Sequence, residues 1–181
     1  TFGFTTHVRQ MLAIARESFE AIVRGWGWLI LAATAAFLMF SATPIAHMGV
    51  PMFATAERIL GFLAAPLTRT PEINWIIVPL LIIFYAGELV WRERDARSCQ
   101  ITDATPTPEW VLFAGKFVAL SLMLVTLQAL MMAAGMLTQM LLGYYDLQAE
   151  LYVRTLFGLQ LVDYLLFALL ALVVHTLANH K

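Results

Sequence analysis

The sequence is poor in most of what a soluble enzyme would need. Its 181 residues include one cysteine, Cys99, which excludes an internal disulfide framework and a cysteine-rich zinc site. Charged residues make up 13%, against about a quarter in a typical soluble domain. They sum to −1, so no global field recruits nucleic acid. No glycine-rich loop ends in Gly-Lys-Ser/Thr, and no Gly-x-Ser-x-Gly nucleophile turn is present. HTLANH (His175–His180) lacks the glutamate and the i, i+4 histidine spacing of a zinc-protease helix. The opening TFGFTTHVRQ has no signal-peptide pattern. With Thr1 in place of a methionine, the chain reads as a piece of a longer protein. No internal repeat or low-complexity segment stands out.

What is present is hydrocarbon in long blocks. Hydrophobic residues are 61% of the chain and the mean hydropathy is +0.78. A bilayer-crossing helix needs about 20 such residues in a row. The expected fold is all-α and polytopic: an amphipathic interfacial helix at 5–24, then four transmembrane helices near 25–42, 73–91, 110–143 and 155–177. In the first segment, Val8, Met11, Leu12, Ile14, Ala15, Phe19, Ile22 and Val23 recur at helical spacing, with Arg9, Arg16, Glu17, Glu20 and Arg24 between them. A soluble helix packing on another domain is the alternative there. Trp26, Trp28, Trp75, Trp91 and Trp110 fall at span ends, where interfacial aromatics belong. Ala32, Ala33, Ala35 and Ala36 in the first span, and Gly115, Ser121, Ala133, Ala134 and Gly135 in the third, are small enough for helices to approach closely. The third run exceeds a bilayer's thickness and must tilt or project. Pro44, Pro51, Pro66 and Pro71 punctuate the loop after the first span, around one short amphipathic helix.

Lysine and arginine placement orients the chain. With the amino end inside, only Arg58, Arg69 and Arg154 of the 11 basic residues lie outside. The expected location is the cell's inner (plasma) membrane, multi-pass, with the amino end cytoplasmic.

The second span ends abruptly in GELVWRERDARSCQITDATPTPEW (Gly87–Trp110). Arg92, Glu93, Arg94, Asp95 and Arg97 crowd into one or two helical turns, and Pro106 and Pro108 stop any helix before Trp110. Charges of mixed sign make a poor lipid-binding patch, which would be mainly basic. They suit a protein partner, whose paired charges set register. The plain alternative is a solvated loop that only fixes topology.

The same stretch carries a resemblance. ERDARSCQITDATPTPEWVLFAGKFVAL resembles the cytoplasmic loop and third span of ABC transporter type-2 permeases. Glu93-Arg94 matches that family's charged pair, Thr105-Pro106 its turn and Gly115-Lys116 its next span, while Ala96-Arg97 stands where Gly-Thr is frequent. The entrance helix, first extracellular loop and span order are also similar. FYAGELVWRERDAR, GYYDLQAELYVRTLFGLQLVDYLL and VVHTLANHK resemble, more narrowly, the second permease half of bacterial ABC permease–zinc aminopeptidase fusion proteins. The resemblance implies an incomplete six-span permease unit. It implies a cytoplasmic ABC ATPase that holds ATP-Mg and presses on a coupling loop at 92–109. It also implies a second permease half or a homodimer, with no cofactor on this chain. Arg92, Glu93, Arg94, Asp95, Arg97, Thr105 and Pro106 would form the coupling loop, and Glu88, Gly115 and Lys116 its anchor. The expected function is the permease part of an exporter, with no enzyme activity of its own. The alternative is a membrane anchor or scaffold for a fused peptidase domain.

Polar residues inside the spans complete the candidates. Glu88, about one turn from the end of the second span, can pair with Arg92 or Lys116, or simply snorkel. Asp163 in the fourth span, with Gln160 one turn before it, either lines a path or pairs across helices with Gln128 or Gln139 for packing. His47 reads as solvated and His175 as a satisfied interfacial histidine. Met131, Met132, Met136 and Met140 read as packing or lipid-facing rather than as a metal site. An intramembrane enzyme built on Asp163, Glu88 or His175 is disfavoured by their different depths.

Overall fold

The computed structural model describes residues 4–23, 28–30, 32, 33, 36, 55–63, 74–95 and 108–177; for 4, 58, 61–63, 74–76, 91–95 and 109 it describes the backbone alone. Every described element is helical, and no strand occurs among the described residues. In chain order they are α1 (Phe4–Ile22), α2 (Ala56–Leu63), α3 (Asn74–Asp95), α4 (Glu109–Leu141), α5 (Ala149–Tyr152), a π-helical stretch Val153–Gln160, and α6 (Leu161–Leu177). Among the described residues, two continuous helices are long and apolar enough to cross a membrane, Trp110–Leu141 and Ala149–Leu177, and Ile77–Val90 is a shorter apolar segment. The first expected span lies mostly outside the described residues; 28–30, 32, 33 and 36 are helical.

The chain divides into two compact units. The first comprises Thr1–Gly27, Leu80–Met123 and Leu165–Lys181, and the second Trp28–Pro79 and Leu124–Tyr164. In the first unit, α1 buries Ala15 and Ile22 and leaves Thr5, Arg9, Leu12, Arg16 and Glu17 exposed. That split follows the 3.6-residue period of its sequence. Arg16 Nε and Glu20 Oε1 pair at 2.7 Å across one turn, an exposed contact that contributes well under ~1 kcal/mol. The core of this unit includes Ile82, Tyr85 and Ala86 of α3 with Val111, Ala119, Leu120 and Met123 of α4. The second unit buries Ala56 and Ile59 of α2, Leu127 and Met131 of α4, and Tyr152 and Leu156.

Local chemistry sets the helix ends. Pro79 sits inside α3 without an N–H to give the preceding turn. α4 stops at Gly143, whose φ of 76° is left-handed. The Gly143 N–H bonds the Met140 carbonyl at 3.1 Å and the Tyr144 N–H bonds the Gln139 carbonyl at 2.9 Å, the paired bonds of a Schellman cap. Hydroxyls within the apolar helices bond their own backbone: Ser121 Oγ donates to the Phe117 carbonyl at 2.7 Å, and Thr138 Oγ1 to the Ala134 carbonyl at 3.0 Å.

α3 runs on through Arg92–Asp95, so the helical turn expected of those four charged residues is continuous with the helix of the second span. Arg and Glu are good helix formers, and no helix breaker intervenes. The last span begins earlier than expected, its helix starting at Ala149, where Arg154 and Glu150 pair across one turn.

Candidate functional site

In the first unit α1 is clasped to the start of α4. His7 and Trp110 meet edge to face with ring centroids 5.9 Å apart. One and two turns further along α1, Met11 and Ile14 cover Gly115. A methyl group placed at Gly115 would lie 2.8 Å from Ile14 Cγ2 and 3.2 Å from the Met11 carbonyl oxygen. The second distance matters more, because a backbone oxygen moves only if α1 moves. Gly115 was one of the close-packing positions expected from sequence; that its partner is α1 is a tertiary fact. Lys116 and Glu88 are each half-buried, and no ion pair joins Glu88 to a described residue.

A second close approach lies one residue before Glu88. A methyl placed at Gly87 would meet His175 Cε1 at 3.3 Å, so the half-buried imidazole of α6 lies over the backbone of α3. His175 thus sits where α6 crosses α3. The charged end of α3 therefore continues from a segment held against α6.

In the second unit the equivalent contact uses a tyrosine. A methyl placed at Gly135 would lie 2.9 Å from Tyr152 Cε1 and 3.4 Å from Ile59 Cγ2. The Tyr152 hydroxyl donates to Gln139 Oε1 at 3.0 Å, which fixes the ring. Gly135 was marked for close packing, but residue size alone does not identify Tyr152 as its partner.

The intramembrane polar residues separate. Gln128 is fully buried, and its amide nitrogen and oxygen have no hydrogen-bond partner among the described residues. Gln160 Nε2 donates to the Tyr164 hydroxyl at 2.8 Å. Asp163 is exposed and hydrogen-bonds neither Gln128 nor Gln139, so the cross-helix pair expected for packing does not form. The pairing fails on position: Gln139 is occupied by Tyr152, and Asp163 lies on an uncovered face. Among the methionines, Met131 is buried and Met140 exposed. No group of three His, Cys, Asp or Glu side chains among the described residues is placed to hold a metal ion.

Arg97, Cys99, Thr105, Pro106 and His47 lie outside the described residues, as do the side chains of Arg92, Glu93, Arg94, Asp95, Trp26, Trp75 and Trp91. Among the described residues, helices pack closely at Gly87, Gly115 and Gly135, and the helix that carries Gly87 extends into a charged turn. A family model described as ABC-2 family transporter protein matches residues 24–181. No curated protein and no solved structure matches the chain.

Proposed function

The chain belongs to the ABC-2 transporter family, and on that premise we propose that it is the membrane part of an exporter driven through the charged end of α3. Membership makes it a membrane-embedded permease component that works with a partnering ATPase. ATP-Mg binding and hydrolysis belong to that partner, in keeping with the lack of a phosphate-cradling loop in this sequence. Two permease halves, identical or not, would enclose the path.

The observation that carries this reading is the unbroken helix from Asn74 to Asp95. Arg92, Glu93, Arg94 and Asp95 add about one turn of rigid rod, ~6 Å, to an apolar helix. A push on a flexible loop dissipates; a push on a helix moves the helix. The contact of Gly87 with His175 would then pass that motion to α6. Arg97, Thr105 and Pro106 complete the coupling segment, and Gly115, Lys116 and Glu88 sit at its base. α1 would lie in the cytoplasmic interface with Arg9 and Arg16 toward the headgroups. An impermeant thiol reagent that reaches Cys99 in intact cells would overturn this orientation.

The test is charge reversal. Glu93→Arg with Asp95→Arg should leave expression and insertion intact, because exposed charge pairs contribute only ~0–1 kcal/mol. A docked pair that loses one member leaves the other stranded, at about 2–5 kcal/mol. Partner binding should weaken by about one to three orders of magnitude. Reconstituted full-length protein should therefore lose stimulation of its ATPase. Unchanged stimulation would favour the second reading, a membrane anchor for a fused peptidase. That reading rests on the narrower sequence resemblance alone and finds no support in the family match.

A further inference from the structure

The helix from Ala149 to Leu177 holds one residue more than an α-helix of its path would. The Val153 N–H bonds the Ala149 carbonyl, the ordinary α spacing, but the Leu161 N–H bonds the Leu156 carbonyl, one residue further back. The π turn Val153–Gln160 has taken up that residue, which sets every later side chain back by ~100° around the axis. Tyr152 marks the buried face where this helix starts. Asp163 lies 11 residues further on, about three α turns, so an unbroken α-helix would place it on that same face. With the π turn, Tyr164 stands there instead. Tyr164 is half-buried and accepts a hydrogen bond from Gln160, while Asp163 is exposed.

The facing side of α4 carries a polar group short of a partner. Gln128 is 7 residues, about two turns, before Gly135, and so lies on the side of α4 that Tyr152 covers. It is fully buried, and its amide bonds no described residue. From the contact of Gly135 with Tyr152 the two helices run antiparallel. Gln128 lies ~10 Å along one and Asp163 ~15 Å along the other. Side chains tilt toward the amino end of their own helix. Gln128 therefore leans away from the Tyr152 contact and Asp163 back toward it, which closes the difference in level. We propose that the π turn is a register switch: when its extra residue passes beyond Tyr164, Asp163 turns onto the buried face and accepts a hydrogen bond from the Gln128 amide. Gln160 and Tyr164 turn outward together, and residues beyond the displaced π turn keep their places. Three features then have one cause: the stored residue, the exposed carboxyl and the unpaired buried amide. The switch rests on helix register and not on an ATPase.

The experiment uses the full-length protein, free of other cysteines, in native membranes. Gln128→Cys with Asp163→Cys, treated with a short bifunctional thiol reagent, should crosslink, because each visit to the second register is trapped; a state populated at only ~0.1–10% suffices. Gln128→Cys with Val162→Cys is the comparison, since Val162 is exposed now and in the second register takes the place Asp163 now holds. Deleting Gly158 removes the stored residue where the helix has open space and leaves later residues in their observed phase. The deletion should cut crosslinking at 163 to the rate at 162. Equal rates at 162 and 163 without the deletion, or undiminished crosslinking at 163 with it, would overturn the proposal. A second measurement keeps Asp163. Tyr164→Cys should react with a membrane-permeant maleimide, and Gln128→Leu should slow that reaction about 3- to 20-fold, the effect of losing one interhelical hydrogen bond. An unchanged rate would overturn the pairing of Gln128 with Asp163. Should the deletion variant fail to accumulate, the rates at 162, 163 and 164 still decide.

Discussion

α4 and α6 are both parts of helices able to cross a membrane, yet they are used differently. Over their most apolar stretches, the α4 helix is 39% buried and the helix ending in α6 only 17%. α4 is gripped at two glycines, Gly115 by α1 and Gly135 by Tyr152 and Ile59, and its glutamine at position 128 is wholly enclosed. The other helix has a glycine in open space, Gly158, and its acid, Asp163, is exposed. The same residue types therefore mean different things on the two helices. On α4 a glycine is a contact already made and a buried polar group is a cost. On the last helix, the glycine has open space beside it and the acid is exposed.

Adding one methyl to α4 tests this contrast most severely. Gly115→Ala gains helix propensity of up to ~1 kcal/mol. It also forces Ile14 and the backbone of α1 away, an overpacking that costs about 1–3 kcal/mol. Net destabilisation is expected, read as a lower melting temperature in detergent by ~2–4 °C per kcal/mol. Trimming Ile14 as well should restore only part of the loss, because the Met11 carbonyl still blocks the methyl. An unshifted melting temperature in Gly115→Ala would mean that α1 is not clasped there.

Gln128→Leu should move stability the other way. The amide has no partner among the described residues, and leaving such a group buried costs about 1–3 kcal/mol. Leucine fills similar space without that penalty, so the variant should melt higher. A lower melting temperature would show that Gln128 is satisfied after all.

Gly158→Ala is the smallest change. Nothing lies near the added methyl, and replacing glycine should stabilise by only ~0.4–1 kcal/mol through the unfolded chain. A loss as large as that at Gly115 would remove the distinction between the two helices.

The sequence carried much of this contrast, and its failures have physical causes. The expectation of a span at 110–143 meets a helix at Glu109–Leu141, because an uninterrupted apolar run with a glycine at its end leaves little choice. Gly115 and Gly135 were recognisable as packing positions from residue size alone. The continuity of α3 with its charged turn at Arg92–Asp95 was not, since a drop in hydropathy marks the membrane boundary and not the helix boundary. Glu150 and Arg154 misled in the same way: they interrupt the hydrocarbon while supporting a helical turn. The π-helical stretch Val153–Gln160 leaves no period that separates it from an α-helix over eight residues. The partner of Asp163 was misassigned because one carboxyl and two carboxamides in nearby spans look complementary on paper. Pairing depends on which face each occupies, and one-dimensional spacing does not relate the faces of different helices.

The central claim is that this chain is the membrane component of an ATP-driven machine whose ATPase docks on the charged end of α3. Affinity purification of the full-length protein from its native membrane, with and without ATP, tests it most directly. The account predicts that a subunit carrying a phosphate-binding Gly-Lys-Ser/Thr loop is retained, that its retention depends on nucleotide, and that Glu93→Arg with Asp95→Arg releases it. Recovery of the membrane protein with no such ATPase under either condition would contradict it.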